Sequence, residues 1–328
     1  MKRVLVLGSG EFIGDRVALA LAREGIRAVV AGGRGAGGEG IERLSFALQD
    51  AASMGRALRG IDGVVNCLSA SPGSIARGAA ALYAGAALQD APPRIVHLSS
   101  MSVYGAVHGN IVEDAPLRGE LGAYAQAKIA AEGLAAGYRG AVILRPGVEF
   151  GPGGELWSGR VARWLAARRL GDLGAAGDGY CNLIFIDDLV EAILNALRRP
   201  GLEGGVFNVA MPDPPTWNAY LVAYARALGA VPVQRISQRR LAVETKMLAV
   251  PLKLLEIAAR GARLPWQPPP AVPPSLLGLM RQEIRLVSGR AQAALDLRCH
   301  DLDWALAQTA AWWAKSQGPG PRGPEARP

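Results

Sequence analysis

Residues 4–14 read VLVLGSGEFIG, an apolar run that stops at a glycine turn and opens into a helical pattern. That junction constrains the chain more than any other segment. An apolar run without polar alternation predicts a strand buried on both faces, which belongs in a parallel sheet covered by helices. Gly8 permits the tight turn, Gly10 leaves the backbone open to close approach, and Gly14 lets the helix pack against the sheet. A helix N-terminus at this place offers free N–H groups and partial positive charge, a seat suited to the pyrophosphate of a dinucleotide.

The first half repeats the alternation. Short β-branched runs at Val4–Leu7, Arg27–Ala31, 61–67, Arg94–Ser99 and Ala141–Leu144 predict strands, and longer patterns at 12–23, 50–59, 72–89 and 121–138 predict helices. The expected fold is α/β, a Rossmann-type doubly wound parallel sheet with a smaller, mostly helical C-terminal substrate lobe. Residues 1–150 form the dinucleotide-binding domain, with 182–210 returning to it. Residues 151–181 and 211–316 form the lobe, and 317–328 a disordered tail. Inside LIFIDDLVEAIL a strand turns into a helix capped near Asp187, and Val206–Val209 is a further strand. Helices are expected over 216–228, 246–261, 275–287 and 302–314.

Composition excludes several other classes. The net charge of +8 comes with no nucleic-acid motif, and Arg160, Arg163, Arg168 and Arg169 read as one solvated helix face. Cys67, Cys181 and Cys299 lack metal-ligand spacing, as do His97, His108 and His300, so no metal is expected. Three unpaired cysteines suit a reducing, cytoplasmic setting. The apolar stretch Met247 to Ala259 is interrupted by Pro251, Lys253 and Glu256, and no integral membrane segment is expected.

The chemistry-bearing residues follow the later strands. RIVHLSSMSVYG runs into a serine-rich turn carrying Ser100, and LGAYAQAKIAAEGL places Tyr124 and Lys128 on one helical face. An ammonium beside a phenol favours the phenolate and should draw its pKa down from about 10 toward neutrality. Tyr124 then exchanges a proton with an alcohol or carbonyl, while Ser100 donates a hydrogen bond to the same oxygen.

The order GSGEFIG, SSMSVYG, YAQAK, RPGVEFGPG, IDDLVEAIL and FNVA resembles the extended short-chain dehydrogenase/reductase family, over residues 1–316. The resemblance implies a catalytic set of Ser100, Tyr124 and Lys128. It also implies a nicotinamide cofactor held by Gly8, Gly10, Phe12, Ile13, Gly14, Arg34, Leu68, Ser69 and Pro146. A homodimer through the helices at 72–89 and 121–138 is implied as well. The second strand ends AVVAGGRG, with Arg34 and no acid, which favours NADP(H) over NAD(H).

The chain departs from the family pattern at named positions. Glu11 stands at the usual middle glycine and Ala47 at an adenine-contacting Asp. Val148, Phe150, Cys181 and Phe185 stand where sugar-nucleotide enzymes carry polar groups. A buried diphosphate without partners is costly. The expected activity is therefore hydride transfer between a secondary alcohol and a ketone of a fairly apolar small molecule. Trp157, Trp164, Trp217, Leu248, Leu252, Leu255, Trp266 and Leu276 are candidate pocket residues. The alternatives are a nucleotide-sugar epimerase or dehydratase, and a non-catalytic cofactor-binding regulator.

Overall fold

The computed structural model describes residues 1–31, 37–262 and 271–317. In chain order the described elements are β1 (Arg3–Leu7), α1 (Phe12–Arg23), β2 (Arg27–Ala31), β3 (Ile41–Leu44), α2 (Ala51–Ala57), β4 (Gly63–Asn66), α3 (Pro72–Ala87), β5 (Arg94–Leu98), β6 (Gly109–Ile111), α4 (Ala123–Ala136), β7 (Ala141–Pro146) and β8 (Val148–Phe150). There follow α5 (Arg160–Ala166), β9 (Leu183–Phe185), α6 (Ile186–Arg198), β10 (Val206–Val209), α7 (Trp217–Ala227), α8 (Gln238–Ala242), α9 (Ala249–Gly261), α10 (Pro274–Met280), β11 (Ile284–Leu286), α11 (Gly289–Leu295) and α12 (Leu302–Ser316).

The chain divides into two compact units. The first comprises Met1–Glu149, Asn182–Asp213 and Ile284–Cys299. Its seven-stranded sheet has the order β10-β7-β5-β4-β1-β2-β3, parallel throughout. The order reverses between β1 and β4, and such a reversal opens a crevice at the carboxyl ends of the strands. Val4 to Leu7 are fully buried, as the uninterrupted apolar run predicts. Successive residues point to opposite faces. Leu5, Leu7, Val29 and Val64 join a core with Met54, Leu82 and Ala131 from α2, α3 and α4. The helices α1 and α6 pack together away from that core.

Three readings of the sequence need correction. The strand β3 was not foreseen, because Glu42 and Arg43 interrupt its apolar pattern; charged residues are usual on an edge strand, and Glu42 pairs with Arg3 at 3.1 Å. The helix expected over 275–287 stops at Met280, and Ile284–Leu286 instead forms a parallel pair with β6. Asp187 does not cap α6: the N-cap is Phe185, and Asp187 and Asp188 lie in the first turn, where carboxylates complement the helix dipole.

The second unit comprises Phe150–Cys181, Pro214–Glu283 and His300–Pro328. Aromatic residues fill its centre. Trp157 and Trp217 have centroids 5.4 Å apart, and Tyr220 and Tyr224 stack at 5.9 Å. Trp164, Trp217 and Leu276 are core residues rather than lining of an open pocket, while Leu248 and Leu255 are exposed. Trp266 lies outside the described residues. Arg169 is not part of a solvated face; it is buried and paired with Glu244, because a buried guanidinium needs a carboxylate partner. Among the described residues no helix is long and apolar enough to cross a membrane.

Candidate functional site

The site is built within the first unit, at the carboxyl ends of β1, β4 and β5. The glycine turn after β1 has the backbone its sequence demands. Gly8 and Gly10 have φ of +89° and +87°, a region that L side chains rarely enter. A Cβ on Gly14 would lie 2.4 Å from the Gly8 carbonyl oxygen, so only glycine lets α1 approach the turn this closely. Phe12 and Ile13 open α1, half-buried. Glu11, at the N-cap, has a φ of −111°, which any residue adopts.

Across the crevice, Leu68 and Ser69 follow β4. The Ser69 hydroxyl donates to Glu11 Oε2 at 2.6 Å. The Gly10 N–H donates to Asp15 Oδ1 at 2.8 Å.

Ser100 follows β5 directly and caps a short turn, its Oγ accepting from the Ser102 N–H at 3.2 Å. Tyr124, Lys128 and Glu132 are spaced by one helical turn each along α4. Lys128 is 3% exposed, and its Nζ donates to Leu98 O at 2.8 Å and Leu68 O at 3.1 Å. The ammonium thus ties α4 to β5 and to the loop after β4. It lies 5.8 Å from the centroid of the Tyr124 ring. Ser100 hydrogen-bonds to the Tyr124 phenol, so all three side chains expected to act together are together.

The geometry is anchored from below. Glu132 accepts from Arg145 Nη2 at 2.7 Å and Nε at 3.0 Å. Arg145 Nη1 donates to Tyr104 Oη at 2.9 Å and Glu113 O at 2.8 Å. Tyr104 in turn donates to Asn208 Oδ1 at 2.6 Å. These buried bonds lock α4 to β7 and β10, which fixes the direction in which Tyr124 and Lys128 point.

The electrostatics correct one sequence expectation. The Tyr124 phenol stands above its ordinary value, because burial disfavours the phenolate and the Glu149 carboxylate repels it; the Ser100 hydrogen bond opposes this. The lysine does not draw the phenol toward neutrality in the folded chain, since its ammonium is turned onto two carbonyls. Burial also lowers Lys128, against the pull of the Glu149 and Glu11 carboxylates. Glu149 itself is pushed up to about 7, mainly by burial, with its own backbone N–H and Lys128 pulling the other way. Glu149 was missed in the sequence. Its signal was a lone acid within the apolar run RPGVEFGPG.

The remaining predicted residues are readily placed. Pro146 ends β7, opposite Val209 of β10. Arg34 lies outside the described residues. Burial drives Cys67 up to about 12 and His97 down to about 3, so at neutral pH the first stays a thiol and the second a neutral imidazole. His97 lies within hydrogen-bond distance of Asn66 and Tyr83, at 3.1 and 3.0 Å, a structural role.

The backbone of the turn fits a nicotinamide dinucleotide. Gly8 and Gly14 carry no Cβ, which lets the turn lie against the Cys67 backbone and α1 lie against the turn, and Ser100, with Tyr124 and Lys128 against it, follows β5, two strands from β1. The disagreement within this seat is the pair of acids, Glu11 and Asp15, where an anion would lie.

Solved structures of other proteins share this fold. No curated protein matches the chain significantly. Among solved structures, a UDP-glucuronic acid 4-epimerase from Bacillus cereus, in complex with UDP-glucuronic acid and NAD, is similar at a TM-score of 0.71 and 16% identity, covering 96% of this chain and 99% of that one. A dTDP-glucose 4,6-dehydratase from Bacillus anthracis, in complex with NAD, gives 0.72 and 14%, with coverage of 97% and 98%. A putative epimerase from Burkholderia cenocepacia gives 0.71 and 20%, with coverage of 95% and 98%. At these identities the likeness shows the fold. Residues 4–210 match the family itself, and the chain belongs to the NAD dependent epimerase/dehydratase family.

Proposed function

We propose that the protein is a nicotinamide-dependent enzyme that oxidises a secondary carbinol of a nucleotide-sugar-class substrate and then returns or eliminates at the resulting ketone, in the manner of an epimerase or dehydratase. The observation that carries it is the cluster of Ser100, Tyr124 and Lys128 beside the glycine turn. Family membership and the ligands named for the similar structures support this substrate class over the apolar alcohol expected from sequence alone.

Gly8, Gly10 and Gly14 would hold the dinucleotide, with Leu68, Ser69 and Pro146 around it. A bound nicotinamide supplies the hydride acceptor and, when oxidised, a positive charge. Tyr124 holds the proton at the substrate oxygen. Its raised pKa keeps the phenol protonated at neutral pH, ready to donate to a carbonyl; in the oxidising direction it must first lose that proton. Ser100 orients the same oxygen. Lys128 fixes the end of β5 and the loop after β4, and so the position of α4 that carries Tyr124.

A second reading is a net alcohol–ketone oxidoreductase. Val148, Phe150, Cys181 and Phe185 favour it: all four are buried and none offers a charge to a diphosphate. Arg34 and the lack of an acid at Ala31 support NADP(H) within either reading. Exposed Leu88 and Leu134, at or near the ends of α3 and α4, support a homodimer through those helices, and three free thiols a cytoplasmic setting. The test is incubation with NAD+ or NADP+ and UDP- and dTDP-sugars, then with alcohols and ketones, following nicotinamide absorbance and products by NMR. Sugar conversion without net cofactor reduction supports the first reading. Stoichiometric reduction with an apolar alcohol supports the second. No conversion of either class overturns both.

A further inference from the structure

The bond between Glu11 and Ser69 lies in an informative place. Glu11 closes the glycine turn after β1, and Ser69 follows β4. The reversal of strand order falls between these two strands. The 2.6 Å hydrogen bond therefore spans the crevice in which this fold seats a dinucleotide. The carboxylate occupies the N-cap of α1 without capping it, since its side chain takes no N–H of the helix. Asp15 already takes the Gly10 N–H. The anion seat thus carries its own anions.

We propose that Glu11 sets the affinity of the dinucleotide seat: its carboxylate, held across the crevice by Ser69, competes with the pyrophosphate, so that the cofactor exchanges with solution instead of remaining resident. The inference rests on the dinucleotide reading given above and refines it. Like charges repel, and about 1.4 kcal/mol of repulsion between this carboxylate and a pyrophosphate is tenfold in affinity. Backbone geometry places no demand for an acid here, because φ at Glu11 suits any residue. The charge is therefore separable from the fold by substitution. An exchangeable cofactor also bears on the choice of reaction: it permits net reduction or oxidation, where a resident one restricts the enzyme to redox-neutral chemistry.

The test compares wild-type protein with E11Q and E11G by calorimetric titration of NAD+ and NADP+. E11Q keeps the size and a hydrogen-bonding group, and E11G restores the small residue. The expected result is tightening of about tenfold or more in both variants, with dinucleotide copurifying with E11G and absent from wild type after denaturation. Unchanged affinity overturns the proposal. Weaker binding also overturns it and makes Glu11 an acceptor for a cofactor hydroxyl. If neither the wild type nor either variant binds a dinucleotide, the cofactor reading itself falls and the proposal with it. Thermal denaturation without ligand confirms that each variant is folded.

Discussion

Glu132 and Arg145 form a two-pronged ion pair in which both residues are 4% exposed, and the pair sits one helical turn below Lys128. It orients α4, and with it the two side chains on which the proposed chemistry turns. Removing one partner leaves a charge buried alone. E132Q and R145M are each expected to lose about 3–5 kcal/mol of stability, read as a lower urea midpoint. The double replacement by apolar residues should recover part of that loss. Equal stability of single variants and wild type would contradict the anchoring role.

Glu149 makes stability depend on pH in a stated direction. Its carboxyl titrates near 7 in the folded chain against 4.5 for the ordinary group. Between those values the folded state holds a proton that the unfolded state has released, so stability falls as pH rises through the window. Lys128 and Tyr124 on α4 are the groups that face it. E149Q should remove this slope and gain about 1–3 kcal/mol relative to wild type above neutral pH. Parallel melting profiles of the two proteins across the window would count against it.

Gly14 tests the junction of turn and helix. An added Cβ meets the Gly8 carbonyl oxygen at 2.4 Å, and the contact is backbone on the far side, so α1 must move. G14A is expected to cost roughly 1–3 kcal/mol and to weaken dinucleotide binding in the same titration. A variant with unchanged melting and unchanged affinity would show that the turn tolerates displacement.

Much of this architecture was legible because it is written in local patterns. The run VLVLGSGEFIG has no reading that avoids a buried strand, a tight turn and a close helix. Tyr124 and Lys128 are visible from spacing alone. The illegible parts depend on distant residues. Nothing near Ile284–Leu286 announces pairing with Gly109–Ile111, because a parallel partner far away in the chain overrides the local helical pattern. The Ser69–Glu11 bond joins two loops 58 residues apart. The phenol's raised pKa likewise arises from burial and, after it, from Glu149, neither of which the helix sequence around Tyr124 contains.

The central claim is that the Tyr124 phenol carries the proton, and replacing it with Phe removes only the oxygen. Y124F should lose about 10²–10⁴-fold in turnover on whichever substrate the wild type converts, while NAD+ affinity and melting temperature stay as in wild type. Turnover within a few-fold of wild type in a folded, cofactor-binding Y124F protein would contradict the account.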